Sequence, residues 1–266
     1  MTKGARWTDR ALGLITALVL LALYAPVFLV VLFSFVPYER GDVVWERATL
    51  DWYRRLVVNT DILSSLAQSL LVGACAVTLA LVVGMVIAFW AQSGKAWGKR
   101  FLELLVYMPF LMPPIVTGLS LLVFFRGIDL DRGLVTTTMG HAAFLMALAY
   151  QLLLTRLRAL PPSLVEASYD LGATGWQTFR FVLWPHLATA VVTAGLLAFT
   201  LSLDETLITV FLIGNDMTLP IRLWAMMRVG FTPEVNALAT LVLLVSTLVT
   251  LTMGLRLRRR SELGES

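Results

Sequence analysis

Long apolar runs bounded by short polar stretches recur from one end of the chain to the other. Six of them stand out: Ala11–Val36, Leu63–Trp90, Phe101–Phe125, Leu134–Leu154, His186–Ile213 and Asn236–Leu257. A bilayer core needs roughly 20 apolar residues per helical span, and every run reaches that length. The pattern therefore predicts an all-α integral membrane protein with six transmembrane helices in a single domain, residues 1–266. The last two runs can tilt or reach past the hydrocarbon. Between runs, Pro37–Ile62 contains LDWYRRLV and Gly214–Pro233 contains LPIRLWAMMRV, both predicted as short helices outside the spans. No internal repeat, low-complexity tract or soluble-domain boundary interrupts this arrangement.

Composition sharpens the reading. Hydrophobic residues make up 58% of the chain and charged residues only 14%, against about 25% charged in an ordinary soluble domain. Such a chain cannot cover a water-facing surface. Lys3, Arg6 and Arg10 precede the first run, as in a signal peptide, but an uncharged stretch from Ala11 to Val36 exceeds a signal core, and no small-x-small cleavage site follows. It is expected to stay as an anchor. Cys75 is the sole cysteine and sits in mid-span, so a disulfide framework and a cysteine metal cluster are excluded and a small packing residue is expected.

Charge sets the orientation. Six spans put both termini on one side, where thirteen Lys and Arg fall, against eight in the opposite loops. Those opposite loops also hold nine acidic residues, from Glu39 to Glu234. The positive-inside bias places both termini in the cytoplasm. The RLRRR run at Arg256–Arg260 reads as a stop-transfer anchor facing anionic lipid, and the net charge of +4 needs no nucleic-acid partner.

Catalytic signals are missing. His141 and His186 lie in different segments, outside any metal-ligand spacing, and each is expected as an interfacial or capping residue at a span end. There is no phosphate-binding loop and no nucleophile elbow, so no catalytic residue, metal or cofactor is assigned to this chain.

The orientation leaves one polar interruption in the cytoplasm, Thr155–Pro185. Its second half, EASYDLGATGWQTFRFVLWP, starts at Glu166. Pro161-Pro162 stops the preceding helix, Ser163 is expected as N-cap, and Glu166 lies at the capping-box distance. A helix over Leu164–Leu171 is predicted, then a break at Gly172 and Gly175, and a second helical piece over Trp176–Val182. Leu164, Ala167 and Leu171 share a face. An interfacial helix would carry lysines on its polar side; this one carries Glu166 and Asp170, which suit a basic protein groove better than anionic headgroups.

These residues carry a resemblance. Glu166-Ala167-Ser168, Gly172 six positions after the Glu, and Pro185 thirteen positions after the Gly are in register with the EAA loop of ABC importer permeases, with Ser168 in place of the second Ala and Trp184 in place of the Leu before Pro185. FTLSLDE at Phe199–Glu205 and IRLWAMMRVGFTPEVNALAT at Ile221–Thr240 extend the likeness over nearly the whole chain, toward the second permease of bacterial spermidine/putrescine importers. The resemblance implies the type I ABC importer permease fold in a bacterial inner membrane. It also implies a coupling helix formed by Glu166, Ala167, Ser168, Asp170, Gly172 and Pro185 and docked on an ATPase. The implied partners are a second permease, two ATPase subunits that bind ATP and Mg, and a periplasmic substrate-binding protein. The implied cargo is a polyamine or related small amine. Permeases of this cluster also serve opines, aminobutyrate-like amines and phosphonates. Pro114 occupies, in MPPIV, a place where polyamine permeases carry an acidic residue, which leaves a monocationic or zwitterionic cargo as an alternative.

Two carboxylates, Asp204 and Glu205, stand inside the fifth run. An ionised carboxylate in hydrocarbon costs roughly 2.5–3.5 kcal/mol even on the lenient insertion scale, so such groups face a water-filled path or a partner. At 1.5 Å per helical residue, Asp204 lies about 28 Å beyond Pro185, toward the external mouth. Asp204 and Glu205, with Ser202 nearby, are the candidates for a substrate pathway that attracts a cation. The alternative is pairing with Arg222 or Arg228, or capping an interface with a second permease. Trp52 and Tyr53 offer ring faces to an ammonium group, or serve as interface-belt aromatics. A stand-alone secondary carrier would need ion-coupling charges and paired repeats that the chain lacks.

Overall fold

In the computed structural model the chain is about 83% helical. The structure describes residues 3–39, 42–92, 98–230 and 232–264. Of the charges counted above, Arg40, Lys95 and the side chains of Lys3, Arg6, Arg10, Glu39 and the Arg256–Arg260 run lie outside the described residues. In chain order the elements are α1 (Lys3–Phe33), a short hairpin of β1 (Tyr38–Glu39) and β2 (Asp42–Val43), α2 (Asp51–Val58), α3 (Thr60–Gln92) and α4 (Lys99–Leu111). These are followed by α5 (Pro114–Gly127), α6 (Leu134–Arg158), α7 (Pro162–Asp170), α8 (Gly175–Gln177) and α9 (Trp184–Asp204). The last three are α10 (Leu207–Leu212), α11 (Leu219–Val229) and α12 (Pro233–Gly264).

Among the described residues, four helices are long and apolar enough to cross a membrane: Leu12–Phe33, Thr60–Gln92, Leu134–Arg158 and Gly175–Asp204. The expected third span, Phe101–Phe125, is not one straight helix. It is α4 and α5, bent by 113°. Pro113 and Pro114 cause the break. A residue before proline is driven from the helical region, and Met112 is extended at ψ 149°. Pro114 then restarts the helix at a position where its missing N–H is not needed. Thr117 Oγ1 donates to the Pro109 carbonyl at 3.1 Å, closing one backbone acceptor that the bend exposes.

The expected fifth span is also interrupted. Helix α9 stops at Asp204 and α10 begins at Leu207, so His186–Ile213 is two helices. At its other end α9 is preceded by a wider π-type turn over Thr178–Leu183. Pro185 has no N–H to give the carbonyl four residues back and its ring crowds that carbonyl; widening the turn relieves both. The sixth expected span falls within α12.

The chain divides into two compact units, Ser64–Arg222 and the remainder. In the terminal unit, α12 packs on α1 and α2. Tyr53 Oη meets the buried Ser34 Oγ at 2.6 Å, and Arg55 pairs with Glu234 at 3.7 Å. The LDWYRRLV segment is helical from Asp51, with Leu50 as N-cap, and LPIRLWAMMRV is helical throughout.

The central unit is organised around α6, which packs on α9, α4 and α10. In α3, Ala76, Ala80, Gly84 and Ala88 recur every fourth residue and are buried. The first two join a core with Ala142, Leu145, Ala149 and Ala198. Lipid tails are as apolar as leucine, so helices in a bilayer associate through close packing, and small residues permit it. A Cβ at Gly84 would stand 3.0 Å from the Tyr150 backbone nitrogen and 3.3 Å from the Ala149 Cβ.

This close approach makes a prediction. Gly84→Val forces α3 away from α6 and destabilises the fold by about 1–3 kcal/mol, read as a lower melting temperature of the detergent-solubilised protein. Gly127→Val, where a Cβ meets nothing within 4 Å, stays within about 0.5 kcal/mol. Equal melting of the two variants would contradict the packing account.

Candidate functional site

The polar interruption folds as a helix, a turn and the start of α9. Helix α7 begins at Pro162 with Pro161 as its N-cap and no side-chain cap bond, so the expected Ser163 N-cap and its capping box with Glu166 do not form. Proline at the first helical position shifts the start upstream of Ser163. A capping box occurs eleven residues further on. Gln177 N–H donates to Thr174 Oγ1 at 3.3 Å and Thr174 N–H donates to Gln177 Oε1 at 2.7 Å.

Gly172 ends α7 in the left-handed region, at φ +81°. Its N–H donates to the Tyr169 carbonyl at 2.9 Å, and the Ala173 N–H donates to the Ser168 carbonyl at 3.0 Å. This is the Schellman arrangement, which satisfies the last carbonyls of a helix and favours glycine. Gly172 thus acts through backbone shape. Glu166, Ala167 and Asp170 are exposed, and Leu171 is 88% exposed. The outward face of α7 is therefore acidic with an apolar tip.

The inward face ties this helix to α9. Ser168 is buried; its Oγ bonds the Val165 carbonyl at 2.8 Å and Thr178 Oγ1 at 2.9 Å. Behind it an apolar groove of about 780 Å³ separates α3 from the α7–α9 segment, its walls including Met85, Phe89, Tyr169, Trp176 and Trp184. Phe179 stands in it edge-on to Phe89 at 5.7 Å and stacks on Trp176 at 5.5 Å. Arg156 Nε donates to the His186 carbonyl at 3.0 Å, which joins the end of α6 to the start of α9. Pro185 lies exposed at that start. Hydrogen bonds and ring contacts thus join the α7–α9 segment to α3 and α6.

The second candidate site is the break between α9 and α10. Asp204 is exposed at the last position of α9, and no ion pair or side-chain hydrogen bond engages its carboxylate among the described residues. Glu205 is spent differently. Its Oε1 accepts from the Ile208 N–H at 2.9 Å and so caps α10. Ser202 turns inward, buried, to His141. Trp52 and Tyr53 belong to the terminal unit, and both are already engaged. The Arg55 guanidinium stands 5.0 Å over the Trp52 ring, and Tyr53 holds Ser34 and leans on Phe35 at 5.4 Å. Arg222 donates to Met217 Sδ at 3.8 Å, and the Arg228 guanidinium lies 5.8 Å over Trp224.

Two expectations are corrected here. Cys75 is exposed on α3 and does not pack inside the chain. His141 is no span-end residue; it is 2% exposed within α6. Its Nδ1 meets Ser202 Oγ and its Nε2 meets Thr209 Oγ1, both at 2.8 Å. Sequence reasoning missed this site, because its partners lie 61 and 68 residues away. A histidine within an apolar run was the available signal. His186 does behave locally, bonding the Val182 carbonyl at 2.7 Å.

The central unit thus holds apolar helices with two breaks and, beside an apolar groove, a short helix with an exposed acidic face. The family model described as binding-protein-dependent transport system inner membrane component matches residues 80–261. The chain is 36% identical over 229 residues to the putrescine transport system permease protein PotI of Escherichia coli (strain K12), covering 83% of this chain and 81% of that protein. It is 29% identical to the spermidine/putrescine transport system permease protein PotC of the same strain, covering 90% and 91%, and 31% identical to PotC of Haemophilus influenzae, covering 84% and 87%. Among solved structures, one from a bacterial ABC transporter that imports the acidic polysaccharide alginate superposes with a TM-score of 0.73 at 15% identity, covering 96% of this chain and 98% of that one. Another, of an alginate transporter in complex with a pentasaccharide-bound periplasmic protein, gives a TM-score of 0.69 at 14% identity and 92% coverage of both chains. The chain belongs to the family of inner-membrane permease components of binding-protein-dependent ABC importers, and as such it is a transport subunit and not an enzyme.

The geometry of Gly172 carries a prediction. A side chain at this φ costs about 1–2 kcal/mol, so Gly172→Ala loosens the end of α7. Amide exchange at residues 172 and 173 should accelerate about tenfold while α3 and α6 keep their protection. Unchanged exchange would show that the turn does not need glycine.

Proposed function

We propose that this chain is one of two permease subunits of an importer for putrescine, spermidine or a related small amine, with six spans, both termini cytoplasmic and α7 as the coupling helix. A single permease domain, residues 1–266, would form half of the pathway beside a second permease. Two ATPase subunits would supply the energy and hold ATP and Mg, and a periplasmic binding protein would deliver the cargo. The observation that carries the coupling role is the outward face of α7, with Glu166, Asp170 and the 88% exposed Leu171. Carboxylates with an apolar tip fit a basic, partly apolar protein groove and are repelled by anionic headgroups. Because Ser168, Thr178 and Phe179 fasten α7 to α3 and α9, closure of the ATPases would tilt these helices and switch access to the pathway. Pro185 contributes by letting the π-type turn meet α9.

The amine cargo rests on the relatives named for putrescine and spermidine and on the exposed Asp204 carboxylate at a helix break. In the pathway, Asp204 attracts the cation, and Glu205 and Ser202 hold the break that presents it. With Glu205 capping α10 and Pro114 in α5 where polyamine permeases carry an acid, one free carboxylate serves the site. That favours a cargo with a single ammonium group as the second reading.

The assembled transporter in vesicles tests both roles. It should take up labelled putrescine in an ATP-dependent way, and Asp204→Asn should cut uptake about tenfold, the equivalent of roughly 1.4 kcal/mol. Intact uptake by Asp204→Asn would remove the pathway role. Glu166→Lys should abolish co-purification of the ATPase with the membrane subunits; retention would remove the docking role. Competition by aminobutyrate stronger than by putrescine would establish the second reading.

A further inference from the structure

The hydroxyl groups around His141 determine which of its nitrogens carries the proton. Thr209 Oγ1 donates its hydrogen to the Glu205 carbonyl at 2.6 Å. Its lone pair is then what faces His141 Nε2, at 2.8 Å, so Nε2 must be the N–H. The other nitrogen, Nδ1, is left as an acceptor and takes the Ser202 hydroxyl at 2.8 Å. A directed chain results: Ser202 to His141, His141 to Thr209, Thr209 to the backbone carbonyl of Glu205. It ends at the gap between α9 and α10.

That gap is two residues wide and carries Asp204 on its rim. Three local contacts shape it: the Glu205 carboxylate on Ile208 N–H, Thr209 on the Glu205 carbonyl, and Thr206 Oγ1 on the Asp204 carbonyl at 3.2 Å. All three lie within the broken segment and would travel with it. Among the described residues, His141 is the side chain that hydrogen-bonds both flanks of the gap from a different helix, Ser202 on the α9 side and Thr209 on the α10 side. The far end of α10 is tied to α6 separately, Thr136 Oγ1 donating to the Leu212 carbonyl at 3.1 Å. Its ring is fully enclosed, where an unmade hydrogen bond costs more than it would in water.

We propose that His141 is a positioning residue for transport: in its Nε2–H form it pins α9 and α10 to α6, fixing the break at which Asp204 is presented. The part of this that concerns uptake rests on the pathway role proposed for Asp204. The pinning of the break does not.

The two ends of the ring can be mimicked separately. A glutamine amide nitrogen reaches the Nε2 position and can still donate to Thr209, whereas asparagine reaches only the Nδ1 position facing Ser202. In the assembled transporter, His141→Gln should keep the half-saturation for putrescine within about twofold of wild type. His141→Asn and His141→Phe should raise it about tenfold, with unchanged amounts of assembled complex and unchanged basal ATP hydrolysis. A second readout needs no cargo. Cys75 is an exposed thiol, so Cys75→Ala removes it, and Leu207→Cys places a reporter at the first residue of α10, where the native side chain is 38% exposed. The rate of labelling by a membrane-impermeant maleimide should change in the Asn and Phe variants and not in the Gln variant.

Equal tolerance of Gln and Asn in both readouts, or a labelling rate indifferent to all three substitutions, overturns the proposal. If wild type takes up no putrescine, the amine reading falls, and the labelling series alone decides whether His141 holds the break. An increase in half-saturation without any change in labelling also overturns it, since His141 would then act by some route other than the position of α10.

Discussion

Inside a bilayer there is no water to satisfy a backbone N–H or C=O, so any place where a helix stops must be closed by the protein itself. The rest of this structure depends on that constraint. Among the described residues, two apolar runs of the central unit are interrupted, after Leu111 and after Asp204. At the first, Thr117 reaches back to the Pro109 carbonyl. At the second, Glu205, Thr206 and Thr209 each take one backbone group, and His141 supports Thr209 from the neighbouring helix. Threonines elsewhere in the apolar helices bond the carbonyl four residues back, as Thr78, Thr138 and Thr193 do. The polar side chains at the breaks are distinguished by reaching across an interruption.

The breaks give the site its chemistry. A carboxylate in the middle of a continuous transmembrane helix has no use for backbone donors. At the start of α10, Glu205 finds one, together with the favourable end of a helix dipole, whose effect falls off within the first turn. Glu205 is thereby converted from a candidate cation site into a cap, and Asp204, one residue earlier on α9, keeps a carboxylate that no hydrogen bond or ion pair engages among the described residues. The same economy applies in the terminal unit, where Arg55 covers the face of Trp52 and Ser34 takes the hydroxyl of Tyr53.

The α7 segment obeys a different rule because it lies outside the apolar helices. Its outward residues are free to be chosen for a partner, and its inward ones for attachment. Ser168, which departs from the alanine of the family pattern, is explained by the Thr178 hydroxyl opposite it. The aromatic group at Phe89, Trp176 and Phe179 supplies broad, stiff contact between the segment and α3. Here a helix with little intrinsic stability at nine residues gains its definition from anchoring, while its acidic face remains available.

Local signals were strong enough to be read directly wherever one short stretch decided its own conformation. LDWYRRLV and LPIRLWAMMRV form helices as predicted, the apolar runs from Leu63 and Leu134 lie in α3 and α6, and the break at Gly172 is where the register put it. The family follows from the same local register around Glu166, Gly172 and Pro185. Hydropathy, however, reports that residues avoid water and not in which direction a helix runs. The runs at Phe101–Phe125 and His186–Ile213 therefore looked continuous although each is broken. The N-cap at Ser163 failed because Pro162 could occupy the first helical position. His141 was misplaced because its hydrogen-bond partners sit on helices that only folding brings alongside it. What the sequence by itself determined about this protein is its solvent, its elements and its family, since these follow from hydropathy, turn chemistry and spacing within a few residues. Which carboxylate is free and which is a cap, and where the helices bend, was decided only by the tertiary structure: the groups that close each break are local, but they are called on only where packing of the two pieces against α5 and α6 makes the run break.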